Sequence, residues 1–139
     1  MEVFPETVDM GPRNWGQELL LCKSPGKYTL KLLKITKGSK GGLQFHRLKD
    51  EAGYLVSGRL LVRYDKGDGN LTEKILEPGE HFRFPPGLVH QEEAIEDCVI
   101  IEASTAHAND RVRVEEKYGI QTDDLTGLPS TTVDEIKIL

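Results

Sequence analysis

Turn residues interrupt this chain at short, regular intervals, and this spacing constrains the fold more than any other feature of the sequence. Breaks such as SPGK (24–27), KGSKGG (37–42), DKGDGN (65–70) and EPGE (77–80) separate short apolar stretches. Turn signals about every 8–12 residues indicate an all-β sandwich or barrel rather than alternating strands and helices.

The stretches between these breaks are predicted to be strands, at 19–23, 28–35, 43–46, 53–57, 59–65, 72–76, 81–84, 89–94 and 98–103. One short helix is predicted over 111–118, capped by Asn109 or Asp110 and ended by Gly119, although RVRV within it also fits a strand. The alternating C-terminal stretch VDEIKIL could add a strand to the barrel or to a neighbouring subunit.

Charge and hydropathy exclude several classes of partner. The net charge is −5 and there is no basic stripe, so nucleic acid and anionic membrane surfaces are not expected partners. The N-terminal residues do not resemble a signal peptide, and no run approaches the roughly 18 apolar residues of a membrane span. A cytoplasmic location is therefore expected. The 139 residues fit one domain.

The first candidate motif is LQFHRLKDEAGYLVSG, at 43–58. Gln44 and His46 are two residues apart, so on a strand both side chains point to the same face. Glu51 follows LKD, where the chain can bend back, and would open the next strand with its carboxylate facing the same space. Gly58 marks the next turn.

The second candidate motif is GEHFRFPPGLVH, at 79–90, in which Pro86 and Gly87 form a tight turn and His90 lies on the strand beyond it. Two imidazoles, one carboxylate and one amide oxygen suit a single divalent ion such as Zn, Mn, Fe, Co or Ni. Four ligands from three strands leave one or two positions open, as in catalytic sites. The predicted metal ligands are Gln44, His46, Glu51 and His90.

Together the two motifs resemble the paired signatures of the cupin superfamily. The first is closest to the variant in mannose-6-phosphate isomerase-like cupins, where Gln-x-His is followed by four residues and Glu. The segments NWGQE (14–18) and DRVRVEEKYG (110–119) are also similar to that family. The resemblance implies a double-stranded β-helix, or jelly roll, with the metal in the barrel mouth and at most one short C-terminal helix. It implies a single domain over 1–139, with a core of about 13–120 and a C-terminal extension at 121–139.

The resemblance implies, as the leading hypothesis, an aldose–ketose isomerase acting on a sugar or sugar phosphate. The metal would polarise the carbonyl group, and a nearby side chain would carry a proton between adjacent carbons. Lys31 and Glu102 are the candidate catalytic residues, because alternating strands could place both beside the ligands. Arg59 and Arg111 are candidates for binding substrate.

Two other functions are compatible with the same motifs. One is an Fe(II) dioxygenase, although cupin dioxygenases usually have three His ligands and Leu48 stands where one would be. The other is a non-catalytic module that binds a sugar or regulates a partner. A homodimer is expected in each case, because small cupins often pair their barrels.

Overall fold

A computed structural model describes residues 2–121 and 127–139 of this chain. Within these residues the structure is built from thirteen strands and two short 3₁₀ helices. The strands β1 to β13 are Val8–Arg13, Gly16–Ser24, Tyr28–Ile35, Gln44–Phe45, Glu51–Ser57, Leu60–Asp65, Leu71–Leu76, His81–Phe84, His90–Ala94, Cys98–Thr105, His107–Ala108, Val112–Arg113 and Lys137–Ile138. The 3₁₀ helices are Glu115–Tyr118 and Val133–Glu135.

Two antiparallel sheets form the barrel. The six-stranded sheet has the order β1-β2-β3-β10-β5-β8, and the five-stranded sheet has the order β12-β4-β9-β6-β7. Strands distant in sequence are therefore neighbours in each sheet, as in a jelly roll. This arrangement confirms the predicted all-β jelly-roll fold, and β3 and β8 have the predicted bounds.

The inward face of the barrel has an apolar end and a polar end. Along the pairing of β10 with β3, Cys98 lies opposite Ile35 and Ile100 lies opposite Leu33. Further along the same two strands, Glu102 lies opposite Lys31, and all of these residues are buried. Cross-strand partners share one face of a sheet, so the alternation that builds the core also lines its polar end with charged groups.

The core at the apolar end is continuous across both sheets. Leu55, Leu60 and Ile100 are fully buried there, and Phe84 closes the cluster on the side that leads to the polar end. Trp15 and Phe82 pack against this cluster as partly buried neighbours. Burial of these side chains is the main stabilising contribution, and it holds the strands that carry the polar groups in fixed register.

The helix predicted over 111–118 is wrong in its first half. Val112–Arg113 forms β12, and only Glu115–Tyr118 is helical, ended by Gly119 in the left-handed conformation. Val112 pairs with Phe45 of β4, so a partner distant in sequence decides the structure of this segment. Within RVRV (111–114), the two central residues form the strand.

Within the C-terminal stretch VDEIKIL, Val133–Glu135 is a 3₁₀ helix and Lys137–Ile138 is a strand that pairs with its own chain. Lys137 and Ile138 pair with Ala108 and His107 of β11 in a two-stranded sheet. Part of the predicted C-terminal extension, residues 122–126, lies outside the described residues. No helix within 2–121 or 127–139 has the length and apolar character needed to cross a membrane.

Candidate metal centre

Three stretches of chain bring two imidazoles and a carboxylate together at the polar end of the barrel. His46 directly follows β4, Glu51 is the first residue of β5 and His90 is the first residue of β9. Glu51 Oε1 lies 3.0 Å from His46 Nε2 and 3.7 Å from His90 Nε2. All three side chains are buried, and their candidate ligand atoms lie within 4.8 Å of one another.

Both imidazoles are oriented by backbone carbonyl groups. His46 Nδ1 contacts the carbonyl oxygen of Asp110 at hydrogen-bond distance, and His90 Nδ1 lies 3.0 Å from that of Leu88. With Nδ1 protonated and donating, Nε2 of each ring is an acceptor that faces Glu51. Acceptors that converge in this way require a cation or a proton between them, so this donor set fits a divalent metal ion.

Burial and neighbouring charges together favour the protonation states that metal binding needs. Burial lowers the pKa of His90 to about 4, so its imidazole is neutral near pH 7. Burial alone would raise the pKa of Glu51, but Lys49 and His46 hold it well below its usual value. A neutral imidazole and an ionised carboxylate are the forms that ligate metals.

Gln44 lies in register with this group. Its Cα is paired with that of His90 across β4 and β9, so the two side chains share one face of the sheet. Gln44 is half-buried. Its amide oxygen as a fourth ligand stays a prediction.

A family comparison decides what kind of barrel this is. The family model described as a cupin domain matches residues 31–103, more than half of the chain. This chain belongs to the cupin family. The match includes His46, Glu51 and His90 and ends before β11, so residues 104–139 lie beyond it.

Two known relatives match this cupin over only part of their own length. An oxalate decarboxylase from Arthroderma benhamiae is 31% identical over 60% of this chain and 20% of its own. A germin-like protein, subfamily T member 3, from Arabidopsis thaliana is 30% identical over 63% of this chain and 38% of its own. The chain thus spans about a fifth to two-fifths of these relatives. A solved RmlC-like cupin from Shewanella frigidimarina matches 76% of this chain and 91% of its own with a TM-score of 0.64 and 20% identity, which supports the fold.

Further charged side chains of this cupin lie beside Glu51 in the barrel interior. Lys49 Nζ lies 3.2 Å from Glu51 Oε2 and 3.4 Å from Glu102 Oε1, so it bridges the two carboxylates. Burial, opposed by Lys49, raises the pKa of Glu102 to about 7. Burial also raises the pKa of Glu92, to about 8, with Glu51 and Glu102 adding to the shift. Burial would lower the pKa of Lys49, but its two carboxylate partners raise it above its usual value.

Of the other predicted site residues, Lys31 lies inside the barrel, whereas Arg59 lies away from the metal centre. Lys31 is buried on the inward face, where its Nζ lies 3.0 Å from Glu18 Oε2. Tyr64 is the residue of β6 that pairs with His90. Arg59 precedes the opposite end of β6, where it contacts Glu77.

Arg111 is held by the C-terminal segment, with its Nε donating to the Pro129 carbonyl at 2.8 Å. Within the described residues, the structure therefore brings Lys31 and Glu102 to the polar end of the barrel, and it gives neither Arg59 nor Arg111 a contact with the metal centre.

Sequence reasoning missed three residues around the centre: Lys49, Glu92 and Asp110. Glu92 had a usable signal, because it is two residues after His90 and so shares its face of β9. Lys49 lies in a turn, where periodicity carries no information about direction. Asp110 acts across 64 residues of sequence from His46, a contact that only the fold reveals.

Proposed function

We propose that this cupin is a metal-dependent aldose–ketose isomerase that acts on a small neutral sugar. The observation that carries the proposal is the meeting of His46, Glu51 and His90 at a point linked through Lys49 to the inward-facing carboxyl group of Glu102. A candidate metal centre and a candidate proton carrier thus share one end of the barrel.

Gln44, His46, Glu51 and His90 are the residues that would hold the ion. Two nitrogen and two oxygen donors suit Zn, Mn, Fe, Co or Ni. When bound, such an ion supplies Lewis-acid polarisation of a substrate carbonyl group.

Glu102 is the residue we assign to proton transfer. In an aldose–ketose isomerisation its carboxylate would take the proton from carbon 2 and return it to carbon 1, while the hydroxyl proton on the oxygen of carbon 2 is replaced by one on the oxygen of carbon 1. The substrate therefore neither gains nor loses atoms or electrons. Lys49 holds Glu102 in place by its ion pair, and Lys31 lies opposite Glu102 in the neighbouring strand.

The charge around the site supports a neutral substrate over a phosphorylated one. Glu51, Glu92 and Glu102 face the same region, and the two lysines there are already paired with carboxylates. The candidate phosphate-binding arginines, Arg59 and Arg111, contact other parts of the protein. A phosphate group would therefore find its candidate cationic partners, Lys31, Lys49, Arg59 and Arg111, already bonded to other groups, whereas a neutral sugar needs no such partner.

The test is an isomerase assay on metal-loaded protein with a panel of aldoses, ketoses and their phosphates, including mannose 6-phosphate. We expect activity on a neutral sugar, and a decrease of about 10²- to 10⁴-fold in kcat for Glu102→Gln. The matched control is Glu73→Gln, which removes an exposed carboxylate paired with Arg63. Inactivity of metal-loaded protein across the panel would rule out the isomerase, and would leave a non-catalytic sugar-binding role or the second candidate described next.

A second candidate is decarboxylation of a small dicarboxylate, favoured by the 31% identity to an oxalate decarboxylase. The reaction would split the carbon–carbon bond of the oxalate monoanion into carbon dioxide and formate. Formate release by metal-loaded protein, without sugar isomerisation, would select this candidate. The Fe(II) dioxygenase has less support, since His81 is exposed on β8 and His107 is bonded to Thr105, so neither supplies a third imidazole.

A further inference from the structure

The residue that orients His46 is itself held by the C-terminal part of the chain. His46 Nδ1 contacts a main-chain oxygen, that of Asp110, so the direction of the imidazole depends on the path of the backbone at 109–111. The Asp110 carboxylate also accepts the N–H groups of Arg47, Leu48 and Lys49, at 3.0, 2.7 and 2.9 Å. This one aspartate therefore fixes both the ring of His46 and the turn that follows it.

The residue before Asp110 has a left-handed backbone conformation that other contacts help to hold. Asn109 has φ of +58°, in the left-handed region that residues other than glycine rarely occupy. Such a conformation persists where surrounding contacts determine it.

Those contacts come from residues 127–139, here called the C-terminal strap. Thr131 is buried, and its hydroxyl donates to the Asn109 carbonyl at 2.6 Å. The same hydroxyl accepts the N–H of Arg111 at 3.1 Å, and the Thr131 N–H donates to the Arg111 carbonyl at 3.0 Å. Thr131 thus bonds to the residues on both sides of Asp110.

The strap also reaches the residue that follows His46, and its end is fixed. Arg47 Nη2 donates to the Thr131 carbonyl at 2.9 Å. Leu139 donates its N–H to Ala106 and accepts that of Gly26, each at 2.8 Å. The strap therefore connects the metal centre to the link between β10 and β11 and to the turn before β3.

We propose that Thr131 is a positioning residue for the metal ligand His46, acting through Asn109, Asp110 and Arg111. The strap then helps to position a ligand of the metal centre, although it lies outside the cupin match at 31–103. The inference rests on the metal centre of the proposed function, but not on the reaction.

The test compares Thr131→Val, which keeps the side-chain shape and removes the hydroxyl, with Thr131→Ser, which keeps the hydroxyl. Co²⁺ is titrated into each full-length protein, and its absorption spectrum is recorded. We expect Thr131→Val to weaken Co²⁺ binding about 10- to 100-fold and to change the spectrum, and Thr131→Ser to restore both. Thr36→Val, at an exposed threonine, is the control.

A second measurement needs no metal. In the metal-free protein, the proton on His46 Nδ1 is expected to exchange with water about tenfold faster in Thr131→Val, as measured by NMR, because its acceptor is less well held. Unchanged Co²⁺ affinity and unchanged Nδ1 exchange in Thr131→Val would overturn the inference.

The reaction and the inference can fail separately. Loss of Co²⁺ affinity in Thr131→Val, combined with no isomerase activity in wild type, removes the isomerase and keeps the inference. Failure of the wild-type protein to bind Co²⁺ would overturn both.

Discussion

His90 combines three properties at the scale of a single residue: burial, a neutral ring and an Nε2 atom directed at Glu51. Replacing it with alanine removes a nitrogen ligand and leaves the Leu88 carbonyl without that donor. We expect His90→Ala to lose about 100-fold or more in metal affinity, beyond the loss typical for residues that only support a ligand. Elemental analysis after dialysis against a limiting metal concentration measures this.

The matched control for His90→Ala is His81→Ala, because His81 is an exposed histidine on β8. Equal metal contents in the two variants would contradict the assignment of His90 as a ligand.

A second prediction at this scale concerns pH. Tyr118 donates a hydrogen bond to the Asp65 carboxylate, which lowers the pKa of Asp65 from its usual value and raises that of Tyr118 to about 12. The depressed Asp65 pKa gives stability that is present above about pH 4 and lost as pH falls through the folded-state pKa. The raised Tyr118 pKa gives stability that is complete below about pH 10 and lost as pH rises through about 12.

Tyr118→Phe removes the Tyr118 contribution and only the part of the Asp65 contribution that comes from this bond, because the N–H groups of Gly67 and Gly69 also donate to Asp65. Urea unfolding across pH measures the effect. The difference in unfolding free energy between wild type and variant should be constant from about pH 5 to 9 and shrink at both extremes. A difference that grows at low pH would show that the bond does not act in this way.

The residues of the centre were predictable where spacing carries information about direction. Gln44 and His46, two apart, and His90 beyond a Pro-Gly turn are local patterns, and the structure brings His46, Glu51 and His90 together. Glu51 follows a turn, and it is the first residue of its strand, as predicted. Lys49 and Asp110 were not predictable, because their roles depend on contacts across 53 and 64 residues.

At the scale of elements, Gly58 joins β5 to β6, and two features of the structure require a glycine at this position. Its φ is +90°, and a Cβ atom there would lie 2.1 Å from the Asp97 carbonyl oxygen. Gly58→Ala is therefore expected to destabilise the protein by about 3 kcal/mol, from backbone strain and crowding together. Urea unfolding at constant pH measures the loss.

Gly26→Ala separates the two causes, because Gly26 has φ of +73° and, apart from its two neighbours in sequence, no atom of the described residues would lie within 4 Å of a Cβ atom there. Its cost should be about 1 kcal/mol, from conformation alone. If the two variants lost equal stability, crowding against Asp97 would not be part of the cost.

Most strands were predictable because turn residues bound them. The exceptions have no such local signal. Val8–Arg13 contains a glycine and a proline and forms a strand by pairing with β2 across a bulge. His107–Ala108 is a strand only because Lys137–Ile138 lies beside it, so each short segment depends on the other.

At the scale of the whole molecule, the outer face of the six-stranded sheet exposes apolar side chains among charged ones, and nothing covers it within the part of the chain that the structure describes. Tyr28, Tyr54 and Val56 are about half exposed on this face. A shallow groove of about 520 Å³ crosses it, lined in part by Ala52 and Ala103. Exposed apolar side chains grouped on one face are a feature of interaction sites.

We expect a second copy of the chain to cover this face and form a homodimer, because a two-fold axis lets one patch pair with itself. A charge at the patch centre would be buried without a partner in such a dimer. Tyr54→Lys should therefore raise the dimer dissociation constant by at least about 100-fold, as measured by light scattering over a range of concentrations. Ile75→Lys places the same charge at a similarly exposed apolar residue of the other sheet, on β7, and should leave the dimer intact. A monomeric wild-type protein, or equal dissociation in both variants, would show that this face is not the interface.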